Sequence, residues 1–146
     1  TVRDDYELQR EPVEYLPVVA ALQEAEMEVV YPRSLPEGWK AVDARRTMTG
    51  WSMDMYNDDD RFVGLRQEAR DIDDMVEDVM GDEAEDGKKV TLDSELGTEW
   101  TPWTSVESDD NALSLQVGEM ELLIFGRIST EQLHALAESL VTEPVK

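Results

Sequence analysis

The sequence predicts an α+β domain: an antiparallel sheet of about six strands with N-terminal, middle and C-terminal helices packed mainly on one face. Three observations lead there. Segments with strand-like alternation follow one another from 39 to 68 and again from 90 to 128, each bounded by turn residues. Apolar stripes of helical period occur near both ends of the chain and once between the two strand runs. Strands in runs, not alternating one by one with helices, favour an antiparallel layer covered by helices over a parallel βαβ sheet.

The first helix is expected over about 16–28. Pro17 suits a first helical turn, and Val18, Val19, Leu22, Ala25 and Met27 form a loose apolar stripe beside Gln23, Glu24, Glu26 and Glu28. Pro32 and Pro36 end it, since each lacks an amide hydrogen and biases the preceding residue toward extended geometry. The stretch YPRSLPEGW, 31–39, then reads as a stiff connector that delivers Trp39 to the sheet as a packing anchor.

Strands are expected at 39–47, 51–56 and 62–68, separated by Gly50 and by the polar run Asn57, Asp58, Asp59 and Asp60. In the second, Trp51, Met53 and Met55 share the face opposite Ser52, Asp54 and Tyr56. Asp71 offers a helix N-cap, Ile72, Met75, Val76, Val79 and Met80 fall on one helical face, and Gly81 is placed to stop the helix. Residues 82–89 read as an exposed charged loop. Strands follow near 90–92 and 98–106, the latter interrupted by Pro102.

Leu113, Leu115 and Val117 alternate with Ser114 and Gln116, Gly118 and Glu119 suit a tight hairpin, and 120–128 is apolar at nearly every position. So continuous a run predicts a central strand covered on both faces. Ser129 and Gln132 have capping-box spacing, and Leu133, Leu136, Ala137, Leu140 and Val141 line one face of a closing helix.

Composition excludes more than it names. The chain of 146 residues has the size of one domain, read here as a single unit over 1–146. It carries 35 Asp and Glu against 13 Lys and Arg, a net charge of -22, which repels nucleic-acid phosphates and anionic lipid surfaces. With no cysteine there is no disulfide, thiolate metal site or cysteine nucleophile. The longest apolar run, 16–22, is far short of the roughly 20 residues that span a bilayer.

No catalytic, cofactor-binding or metal-binding residues are expected. His134 is the single histidine, lies beside the apolar stripe of the last helix, and has neither a partner histidine nor a triad partner at a recognisable spacing. The acidic groups at 57–60 and 71–78 lack the ligand order of a calcium loop, and the second sits on the solvent side of its helix. Among so many carboxylates some pair will always have the separation glycoside hydrolysis needs, so such a pair means nothing without a cleft. Of the four tryptophans, Trp39 and Trp100 read as core pillars, while Trp103, just after Pro102, is expected to be exposed; Trp103 and Trp51 are the candidate contacts for a ligand or partner.

Several stretches in order, VEYLPVVAAL at 13–22, YPRSLPEGWKA at 31–41, ELGTEWTPW at 95–103 and LLIFGRISTEQLHALAESL at 122–140, resemble the actinobacterial membrane-anchored proteins grouped as domain of unknown function 4245. The residues carrying the resemblance are Leu35, Pro36, Gly38, Trp39, Gly97, Trp100 and Gly126, with the helix from Ser129 to Leu140. The resemblance implies a single N-terminal membrane helix, absent from a chain that begins at Thr1, followed by an extracytoplasmic domain whose residues 1–15 are a membrane-proximal extended segment. It carries over no catalytic residues and no cofactor. The extreme acidity and the stretch DDMVEDVMGDEAEDGKK at 73–89 depart from the family pattern. The expected function is non-enzymatic binding or scaffolding, in contact with an unknown protein or small ligand and with no nucleic acid, at the cell membrane with this domain outside. The alternatives are a carrier of a small apolar or lipid-like ligand and a carboxylate-dependent hydrolase.

Overall fold

The computed structural model describes residues 11–145. The expected segment at 1–15 falls mostly outside them. Helix α1 spans Leu16–Glu24 with Pro17 in its first turn, and it is shorter than expected. Its last amides turn back on Ala21, Leu22 and Gln23, and Glu26 adopts a left-handed φ of 67°, which reverses the chain.

Seven strands lie in the order β2 (Lys40–Arg46), β3 (Gly50–Tyr56), β4 (Phe62–Glu68), β9 (Met120–Gly126), β8 (Asn111–Val117), β7 (Glu99–Ser105) and β5 (Ala84–Asp86). The short β6 (Val90–Thr91) lies beside β5 along the same edge of β7, and all these ladders are antiparallel. The architecture is two meanders, β2–β3–β4 and β7–β8–β9, joined where β4 pairs β9. Helix α2 (Ile72–Met80) carries the chain from one meander to the other.

The structure thus holds more strands than the six or so expected, one added at the sheet edge and two in a separate ribbon. β5 emerges from the stretch read as a charged loop. It pairs at the edge, Ala84 with Ser105 and Asp86 with Trp103; only Ala84 packs against a core, and the exposed Glu85 and Asp86 give no strand-like alternation. A separate two-stranded ribbon pairs β1 (Tyr31–Pro32) with β10 (Leu140–Val141). Leu140 and Val141 look like a continuation of the last helix because they are apolar at helical spacing; α3 (Thr130–Glu138) in fact ends before them, and they turn to meet the connector.

The sheet has cores on both faces. On one, α1 and α3 cover Trp51, Met53, Met55, Val63, Leu65, Leu113, Leu122 and Ile124. On the other, α2 places Met75, Val76 and Met80 over Trp103, Ala112, Leu123 and Phe125. Two of the three helices therefore share one face, and α2 builds a second core on the other. β9 is the central strand expected of its continuous apolar run, with Leu122 and Ile124 on the first face and Leu123 and Phe125 on the second. The two helix starts expected from the sequence are built: Asp71 accepts from the amide of Asp73 at 2.9 Å, and Ser129 and Gln132 close a capping box. Gly81, at φ 87°, ends α2.

The connector from α1 to β2 is held differently from the expectation. Trp39 is only half-buried against the first core, after a turn closed by its amide on the Pro36 carbonyl and a left-handed Gly38. The anchoring falls to β3 and β4. The Trp51 indole donates to the Val30 carbonyl at 3.1 Å. The side-chain amide of Gln67, 1 % exposed, accepts from the Val30 amide and donates to the Glu28 carbonyl, both at 2.7 Å. One glutamine thereby imitates a strand partner for a piece of chain that has none.

At the other end of the chain the Gln23 amide grips 143–145 in the same manner, donating to the Glu143 carbonyl and accepting from the Val145 amide. Arg33 reaches the Glu143 and Glu95 carboxylates across the surface.

Candidate functional site

β7 runs unbroken through Pro102, which the sequence suggested would interrupt it. Along an antiparallel strand a residue's amide and carbonyl point to the same side, and the Pro102 carbonyl accepts from Gly87 on the outer edge. The missing proline amide therefore faces the outer edge, where β5 has just ended and β6 has not begun, and the ladder with β8 loses no bond. Because the strand continues, the alternation carries Trp103 inward under α2. Trp103 is 8 % exposed, and its indole donates to the Ser114 hydroxyl at 2.8 Å. This corrects the expectation of an exposed Trp103. Trp51 is fully buried, so it offers no surface to a partner.

What remains of Trp103 at the surface lines a groove. The groove has a volume of about 400 Å3 and runs between the start of α2 and strands β7, β8 and β9, with Ile72, Trp103, Ser114 and Leu115 among its walls. Asp73, Asp86, Glu99 and Glu121 bring four carboxylates to it, against the single cation of Lys89. Burial first, and the nearby Asp71 second, push the Glu121 carboxyl above the usual carboxylate range.

That direction has a consequence for stability. A carboxyl that holds its proton more tightly in the folded than in the unfolded chain favours the fold while protonated. The advantage fades as pH rises through the raised value. Glu121→Gln is therefore expected to gain stability relative to the parent above that value and to match it at lower pH. Denaturation midpoints measured from pH 4 to 8 would show a flatter profile for the variant; parallel profiles would mean that Glu121 is solvated like any surface carboxylate.

A second groove, about 560 Å3, lies past the end of α2 against the far end of β7 and is lined by Asp82, Glu83 and Glu85 with Thr104, Ser105 and the exposed Val106. Beside it Glu107 lies over Gly81, its Oε2 3.0 Å from where a β-carbon there would stand. Desolvation, followed by Asp82 and Glu83, raises its carboxyl. Two further grooves share Arg61 and Arg127 among aspartates at the start of α3. All of these are open troughs.

The rest of the second sheet face, over β2, β3 and β4, is polar. Arg66 spans it, pairing with Asp54 at 2.8 Å and lying 5.2 Å from the centre of the Phe125 ring. Phe125 in turn lies across Gly64, where a β-carbon would come within 2.5 Å of the ring. His134 is half-buried on α3. Among the described residues no group of three or more His, Asp or Glu side chains is placed to hold a metal ion, and no helix is long and apolar enough to cross a membrane.

The residues that carried the family resemblance serve the fold. Leu35 and Trp39 pack partly against the first core, and Gly38 supplies a left-handed turn. The Trp100 indole, fully buried, donates to the Gly97 carbonyl at 3.0 Å, which explains the spacing of GTEW. Gly126 lets β9 approach β4 so closely that a β-carbon would lie 2.4 Å from the Phe62 carbonyl oxygen. The groove residues Asp86, Glu99 and Glu121 were invisible as a set, because they come from three strands that only the folded sheet brings together.

None of the curated proteins and none of the solved structures compared with the chain matches it. A family model does, over residues 2–140, and these include every glycine and tryptophan just described. The chain belongs to that family, described as Protein of unknown function (DUF4245).

Proposed function

We propose that this is a non-enzymatic binding or scaffolding domain of a cell-envelope protein, held at the membrane by an N-terminal anchor with the domain outside the cytoplasm. The observation that carries the binding role is the groove floored by Trp103 and edged by Asp73, Asp86, Glu99 and Glu121. An aromatic edge among four carboxylates that the single Lys89 only partly offsets suits a cationic partner, whose charge those carboxylates attract and whose apolar stems the indole accepts. The chemistry supports a partner over a carried lipid. The large apolar side chains, Trp51, Trp100, Met53 and Met55 among them, fill the interior, whereas the grooves present charge.

The test is a pair of charge reversals in the anchored protein. Asp86→Lys with Glu99→Lys is expected to weaken capture of the bound partner by at least tenfold, while Glu24→Lys with Glu28→Lys, on the opposite face, leaves it unchanged. Equal losses from both pairs would reduce the interaction to general charge attraction and remove the groove from the account.

One observation favours a second reading. Glu121, whose carboxyl burial and Asp71 push upward, shares an open polar groove with the Asp73 carboxylate, and such a pair could act as acid and partner in hydrolysis. Hydrolysis of a glycoside that is abolished by Glu121→Gln and by Asp73→Asn, with partner capture intact, would replace the scaffold with a carboxylate-dependent hydrolase.

A further inference from the structure

The seven methionines of the chain are not equivalent. Met53, Met55, Met75 and Met80 are buried, at 0 to 3 % exposure, and form the centres of the two cores. Met27 and Met120 are half-buried, the first against the core and the second with its sulfur 3.7 Å from the Gln67 amide nitrogen. Met48 is fully exposed at 102 %, at the tip of the β2–β3 hairpin.

The tip that presents it is tied down by hydrogen bonds on both sides. The Thr47 amide donates to the Gly50 carbonyl at 2.8 Å and the Ala69 amide to the Thr49 carbonyl at 3.0 Å. The hydroxyls of Thr47 and Thr49 both donate to Glu68 Oε1, at 3.4 and 2.7 Å, so the residues on either side of Met48 are tied to β4. A fully solvated apolar side chain on a pinned turn contributes nothing to either core, and its thioether is open to attack from every side but its own backbone.

We propose that Met48 is a site of reversible oxidation by peroxides, the first of the seven methionines to react and the one whose reaction the fold tolerates. The thioether sulfur attacks the terminal oxygen of a hydroperoxide. The O–O bond breaks as the S–O bond forms, and the hydroxyl proton passes to the departing oxygen. One sulfide and one hydroperoxide thus give one sulfoxide and one alcohol, or water from hydrogen peroxide. Sulfur loses two electrons and the peroxide gains them. The sulfoxide is polar and is returned to the thioether by methionine sulfoxide reductases, which take two electrons from a pair of thiols, leave a disulfide and release the oxygen as water. At the hairpin tip it stays in water, whereas at Met53 or Met55 the same oxygen would enter a packed core.

Peptide mapping of the folded protein during exposure to dilute hydrogen peroxide tests this. Met48 sulfoxide is expected to form at least tenfold faster than sulfoxide at Met53, Met55, Met75 or Met80 and several-fold faster than at Met27 or Met120. The singly oxidised protein should melt within about a degree of the reduced one and return to its starting mass with a methionine sulfoxide reductase. Met48→Leu should abolish the fast phase and leave the slow phases unchanged. A fast phase that survives in Met48→Leu, or oxidation of Met27 or Met120 at the rate of Met48, would overturn the assignment. So would a clear drop in melting temperature on the first oxidation, since it would place the reactive sulfur in the core.

Discussion

Trp51→Ala is expected to cost about 4 kcal/mol of folding stability, the middle of the range for deleting a buried aromatic side chain. For a domain of this length that corresponds to a fall of about 15 °C in melting temperature. Two losses add. The indole is fully buried in the first core between the β3 and β4 neighbours Met53 and Leu65 and the covering helices, so its removal leaves a cavity that the sheet backbone prevents from closing. Its N–H is also the donor that satisfies the buried Val30 carbonyl, which is left unpaired. Trp51→Phe separates the two, since the ring refills most of the space while the carbonyl stays unpaired; a cost of about 1–2 kcal/mol is expected for it. Urea unfolding of the three proteins measures both terms. A cost below 1 kcal/mol for Trp51→Ala would mean that the connector after α1 is held by something other than β3.

Trp51 also marks where the sequence could be read and where it could not. Elements whose side chains alternate with their own burial were legible. Phe62–Glu68 lies at its expected bounds, Asp71 and Gly81 bracket α2 as cap and stop, and the unbroken apolar run of β9 became the strand covered on both faces. Elements defined by backbone pairing alone were not legible. β5 is three residues, two of them acidic, visible only through its ladder with β7, and β10 is two apolar residues that extend the stripe of α3 until the chain turns. The exposure expected of Trp103 rests on Pro102 as a strand breaker, and only the fold shows that the proline's amide side faces the gap between β5 and β6. Gln67 was missed altogether. At a core position of β4 a glutamine gives no signal of its own, and its role depends on the backbone of 28–30, which is remote in sequence. The groove failed to show for a related reason. Its carboxylates are a small fraction of 35, and nothing local separates Glu121 from the rest until the sheet places it partly out of water near Asp71.

Gln67→Leu is expected to cost about 3 kcal/mol, close to 10 °C in melting temperature, although leucine conserves the volume and is the more apolar residue. The cost lies in what the amide serves. The Gln67 side chain is the partner of the Val30 amide and the Glu28 carbonyl; with leucine the Val30 amide is left unpaired in a dry interior and the part-buried Glu28 carbonyl loses its donor. Gln67→Glu makes the account specific. A protonated glutamic acid can accept from Val30 and donate to Glu28 as glutamine does, whereas an ionised one keeps the first bond, loses the second and sets a buried charge against a carbonyl oxygen. Burial would raise that carboxyl in the folded chain, so the stability it contributes is present at low pH and is lost as pH rises through its raised value. The glutamate variant should therefore approach the parent near pH 4 and fall toward the leucine variant by pH 7. The gap between leucine and parent should stay constant over the same range. Because Trp51 and Gln67 hold the two polar groups of one residue, Val30, the double variant Trp51→Ala with Gln67→Leu should cost less than the sum of its parts. Strict additivity would show that the connector is pinned at two independent points and that Val30 is not the joint.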